Sequence, residues 1–135
     1  MNKFGKQPKG NEMRETIQSI MEFQSKKYQD IEFSLALDIF QESVENYKRA
    51  TKRQKLDCVA KVFINACLVM SVEYLTGAQA MEVFNNIATD YGADKDTLEL
   101  RINKLIKKQR KEYEKNNDNR TWLNLIRMCK RTSNQ

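Results

Sequence analysis

The sequence predicts an all-α fold, and three observations carry the prediction. With 4 Gly and 1 Pro in 135 residues, the chain lacks the punctuation that the turns of an all-β domain require. Its apolar residues recur at i, i+3, i+4 and i+7, most persistently in Leu56, Val59, Ala60, Phe63, Ala66, Cys67, Met70 and Tyr74. Its length fits one domain with one core. The expectation is a compact bundle of five or six helices.

Taken in order, residues 1–10 carry Lys3, Lys6 and Lys9 with Gly5, Pro8 and Gly10 and no periodicity, which reads as a disordered basic arm. A helical domain is expected over 11–115. Its first helix starts with Asn11 as N-cap, has Glu12 and Glu15 where the helix dipole favours negative charge, and turns Met13, Ile17, Ile20 and Met21 to one face. It runs to about Lys27. Ile31, Phe33, Leu35, Leu37 and Ile39 alternate with polar or small residues as a strand would, but no second strand exists to pair with them. Residues 34–50 are therefore read as a helix capped by Ser34, with Leu35, Ile39, Phe40, Val44 and Tyr47 facing in. The next helix, about 51–75, is apolar nearly all round, which places it at the centre of the bundle.

Thr76 and Gln79 have the spacing of a capping box and open another helix with Ala80, Phe84, Ile87, Ala88 and Tyr91 on one face. Gly92 stands where a left-handed residue would end it. Asp94 or Asp96 can cap the following helix, whose inner face is Leu98, Ile102, Leu105, Ile106 and Tyr113. The run Asn116 to Asn119 reads as a polar breaker within a segment 116–135, leaving a short amphipathic helix at its end. There Trp122, Leu125 and Ile126 form an apolar face suited to docking on the domain, on a second copy or on a partner.

The composition narrows the chemistry. Zero His removes the commonest general base and metal ligand near neutral pH. Cys58, Cys67 and Cys129 form no C-x-x-C, and the first two would lie on opposite faces of one helix about 13 Å apart, beyond disulfide reach. No spacing joins a nucleophile to a base. The reading is a protein that is not an enzyme and needs no metal or cofactor. Without an apolar leader or a membrane-length apolar run, it is expected in the cytoplasm and off the membrane.

The segment from Ile87 to Leu105, within a unit spanning 78–113, resembles the helix-turn-helix of bacterial transcription regulators and of the promoter-reading region of sigma factors. Ile87 and Ala88 match the aliphatic-Ala pair of the first helix, and Gly92 matches the turn glycine, followed by Ala93. Thr97 and Leu98 match the Thr-aliphatic pair that opens the recognition helix, with Ile102 at its next buried position. The resemblance covers about a sixth of the chain and implies duplex DNA as partner.

The charge distribution favours the same partner. Residues 11–100 carry 10 Lys and Arg against 15 Asp and Glu, a net of −5, whereas residues 101–135 carry 11 against 3, a net of +8. Arg101, Lys104, Lys108, Lys111 and Lys115 recur at spacings of three and four along the helix that would enter the groove. The expectation is a small regulator of transcription or another DNA transaction. Lys95, Thr97 and Arg101 would face bases, with Lys104, Lys108 and Lys111 on phosphates. The alternative is a helical interaction module or inhibitor that binds an acidic protein surface through its basic C-terminus. Exposed Arg101, Lys104 and Lys108 on a convex helix would favour DNA; their burial under the Trp122 segment would favour the alternative.

Overall fold

A computed structural model describes the backbone of residues 9–133 and the side chains of residues 13–116. Five α-helices follow one another: α1 (Lys9–Lys27), α2 (Phe33–Arg49), α3 (Lys55–Val72), α4 (Gly77–Asp90) and α5 (Lys95–Ser133). A 3₁₀ turn, Lys52–Gln54, leads into α3. No strand occurs among the described residues. The protein is an all-α bundle. Most of the basic arm, residues 1–8, lies outside the described residues, while Lys9 and Gly10 open α1 and place Asn11 in its first turn instead of at its cap.

Helix α3 packs against each of the other four helices, as a rod apolar nearly all round must. Val59, Ala60, Val62, Phe63, Ile64, Ala66, Cys67, Leu68 and Met70 are all buried along it. Met13, Ile17, Ile20 and Met21 of α1, Ala80, Phe84, Ile87 and Ala88 of α4, and Leu98, Ile102 and Ile106 of α5 complete the core. Phe63 and Phe84 meet edge-on with ring centroids 5.3 Å apart.

Helix α2 differs from expectation at its start. Its N-cap is Glu32, in extended conformation and without a side-chain cap bond, so Ser34 lies inside the first turn. Starting from Phe33, the face turned to α3 is Ala36, Phe40, Ser43, Val44 and Tyr47, a run of i, i+4, i+7, i+8 and i+11. Ala36 is fully buried and Leu35, about 100° around the helix, is 54% exposed. The strand-like alternation at 31–39 forms no strand, because no partner strand is present among the described residues to satisfy it.

Two helix ends use left-handed residues. Tyr74, with φ 57°, closes α3, and the Leu75 amide reaches back to the Met70 carbonyl at 3.1 Å. Gly92, with φ 64°, closes α4, and the Ala93 amide reaches the Ala88 carbonyl at 2.8 Å. The Thr76–Gln79 capping box that opens α4 forms as its spacing predicts.

Helix α5 departs most from the expected organisation. It runs 39 residues without interruption through Asn116–Asn119, about 58 Å at 1.5 Å per residue. No breaker is present there. Asn is a mediocre helix former, costing a fraction of a kcal/mol, whereas Gly and Pro are the strong helix breakers, and neither occurs between Lys95 and Ser133. The side chains of Trp122, Leu125 and Ile126 lie outside the described residues.

Candidate nucleic-acid interface

The connection between α4 and α5 is a tight corner built by local chemistry. Gly92 turns the chain, and Asp94 then caps α5: its Oδ2 accepts the Thr97 amide at 3.0 Å and the Thr97 hydroxyl at 2.9 Å. Of the two candidate caps, Asp94 is the one used. The negative charge of Asp94 thus sits where the helix dipole favours it.

Helix α5 is held by its inner stripe, Leu98, Ile102 and Ile106, and by two polar contacts. Arg101 Nε lies 3.3 Å from Asp57 Oδ1 on α3, with both side chains half-exposed. Farther along, Arg110 donates to the carbonyl of Ser19 at 3.2 Å and to its hydroxyl at 2.6 Å, and its guanidinium stands 5.5 Å over the Phe23 ring. Phe23 in turn meets Tyr113 edge-on at 5.6 Å. Arg110 is therefore a fastening between α5 and α1.

At 100° per residue, the side of α5 opposite the buried stripe carries Leu100, Lys104, Lys107, Lys111, Glu114 and Lys115, with Asn103 and Lys108 at its margins. All eight are exposed. The five lysines span about 16 Å along the axis. Among the described residues none of these five lysines enters an ion pair.

The residues expected from the sequence divide accordingly. Lys104, Lys108 and Lys111 share one exposed face. Lys95 is exposed but sits about 180° around the helix from Lys104, on the side of the inner stripe. Thr97 is engaged by Asp94 and Arg101 by Asp57. Lys107, Leu100 and Asn103 complete the outward face and were not among the expected site residues. A wheel drawn from Leu98, Ile102 and Ile106 places Leu100 and Lys107 opposite the core and Asn103 about 100° from it, so the signal is present in the spacing.

Elsewhere the described residues offer little chemistry. No three Asp, Glu or Cys side chains among them gather as a metal would need, and none of their helices is long and apolar enough to cross a membrane. Cys67 is fully buried, and that burial pushes its thiol far above the usual range. Comparison with protein families, curated proteins and solved structures gives no match.

Proposed function

We propose that this protein binds duplex DNA through the outward face of α5, as a small regulator of transcription or another DNA transaction. One observation carries the reading: Lys104, Lys107, Lys108, Lys111 and Lys115 are exposed together on one side of one helix, with no carboxylate partner among the described residues. Lysines usually scatter over a surface alternating with acids. Here the net −5 of residues 11–100 and the net +8 of residues 101–135 set this face apart from the rest of the bundle.

Phosphates are the natural ligand for such a row, since each lysine that neutralises one releases a condensed counterion. The short α4–α5 corner, with Gly92 left-handed and Asp94 capping, supports a helix-turn-helix role for the two helices. Base reading by Arg101 would require it to leave Asp57, so the phosphate row is the firmer part of the proposal.

The test is fluorescence anisotropy with a random-sequence 30-bp duplex, comparing wild type with a Lys104→Glu/Lys108→Glu/Lys111→Glu variant. Binding by the wild type and a loss of at least tenfold in the variant, with circular dichroism unchanged, is the expected result. Equal affinity of the two proteins, or capture of an acidic protein surface with no duplex binding, would overturn the reading.

A further inference from the structure

One residue on the lysine face is out of character with its neighbours. Leu100 is 71% exposed, and among the described residues it is the one large apolar side chain of α5 that faces solvent. It stands one turn before Lys104 and two turns before Lys107, with Asn103 beside it. An open hollow of about 510 Å³ adjoins it, lined also by Leu56, Asn103 and Lys107.

An exposed leucine ringed by cations could anchor an acidic protein partner, but a stable protein interface covers roughly 800 Å² a side around several apolar anchors. This site offers Leu100 and, across the hollow, only the half-buried Leu56, and from Lys104 to Lys115 the rest of the outward row is cationic, amide or acidic. A lone apolar contact beside a planar amide matches a different surface. In the major groove, thymine presents a C5-methyl group, and adenine presents N7 and N6 for which the asparagine amide is the matching donor and acceptor. Leu100 and Asn103 also lie in the second and third turns of α5, near the end that a recognition helix presents to base edges.

Resting on the duplex reading above, we propose that Leu100 and Asn103 are the base-reading residues of α5, taking a thymine methyl and an adenine edge, while Lys104, Lys107, Lys108 and Lys111 hold the phosphates. The assignment gives the ligand a composition, duplex DNA with A·T pairs. It also moves the base contact away from Thr97 and Arg101, whose polar groups already have intramolecular partners.

The test uses three 30-bp duplexes: one of A·T pairs in mixed order, the same duplex with deoxyuridine replacing every thymidine, and one of G·C pairs. Wild type is expected to bind the thymidine duplex about fourfold more tightly than the deoxyuridine duplex, the effect of one buried methyl group. Leu100→Ala should erase that difference, and Asn103→Ala should reduce preference for A·T over G·C about tenfold. Both positions are exposed, so helicity and melting temperature should stay at wild-type values. Equal binding of thymidine and deoxyuridine duplexes by wild type, or a thymidine preference that survives in Leu100→Ala, overturns the assignment. If that binding still falls when Lys104 and Lys108 are reversed, the duplex reading stands without it. Absence of binding to all three duplexes overturns both.

Discussion

Arg101 on α5 and Asp57 on α3 form an ion pair of 3.3 Å that ties the start of the lysine-bearing helix to the central one. Because both side chains are half-exposed, the pair contributes under about 1 kcal/mol to stability. Its larger consequence is electrostatic, since Asp57 neutralises the cation that stands one turn before the lysine row. Asp57→Asn should leave the melting temperature within a few degrees of wild type and tighten duplex binding several-fold, steepening the log–log salt slope by about 0.9 if Arg101 gains one phosphate. Titrations at three salt concentrations check this, and an unchanged slope with unchanged affinity contradicts it.

The corner itself depends on two residues with different physics. Gly92 has φ 64° and open space around the Cβ position, so Gly92→Ala strains the backbone without a clash and should cost about 1–2 kcal/mol. Gly77, in the first turn of α4, has an ordinary conformation, and an added methyl would meet the Arg14 side chain at 3.7 Å. Gly77→Ala should therefore stabilise by about 0.4–1 kcal/mol. Urea denaturation of the two variants should move the midpoint in opposite directions.

Gln24 is the exception in an otherwise apolar seam between α1 and α3. It is 1% exposed and donates to the Ile64 carbonyl at 3.1 Å, while its Oε1 accepts nothing among the described residues. Replacing it with Leu removes an unsatisfied acceptor and leaves the Ile64 carbonyl with its place in the α3 ladder, so stability should hold or rise by up to about 1 kcal/mol. Gln24→Glu would place a charge in the same site and should cost several kcal/mol at pH 7. A Leu variant that unfolds would show that the amide specifies the packing.

Burial protects Cys67 and leaves Cys58 half-exposed. In a Cys129→Ser background, a thiol reagent should modify the native protein at Cys58 and reach Cys67 only on unfolding. The raised Cys67 pKa also sets a direction. The native state keeps its proton where the unfolded thiol, ionising near pH 9.0, loses it, so stability from this group is complete below that pH and declines above it. The stability gap between wild type and Cys67→Ala should therefore narrow between pH 8 and pH 10. A constant gap would contradict the burial account.

Much of this architecture is legible in the sequence, and the failures have specific causes. Most inward positions of α1, α3 and α4, the Thr76 cap and the left-handed Gly92 follow from short-range spacing and capping chemistry. Tyr74, expected to continue the α3 stripe, instead closes that helix in left-handed conformation and is 91% exposed. Spacing leaves Asp94 and Asp96 equal as caps of α5. Leu35 is misplaced because its hydrophobicity outweighs its position: at 100° per residue it stands about 140° from Phe40, whereas the small Ala36 stands about 40° from it and takes the buried place. The continuation of α5 through Asn116–Asn119 is hidden because its polar composition resembles a loop while containing neither Gly nor Pro, the strong helix breakers. At the candidate site, Lys104, Lys108 and Lys111 were readable as a row. The engagement of Arg101 by Asp57 was not, because it joins residues 44 apart in sequence that meet only when α5 crosses α3.

The salt dependence of wild-type binding to a 30-bp duplex tests the central claim most directly, because it counts the phosphates that the α5 lysines neutralise. With four or five lysines engaged, log K plotted against log salt concentration should fall with a slope of about −3.6 to −4.5. The Lys104→Glu/Lys108→Glu/Lys111→Glu variant should flatten it by more than half. A wild-type slope near zero, or a steep slope unaltered in the variant, would contradict the assignment of this face to nucleic acid.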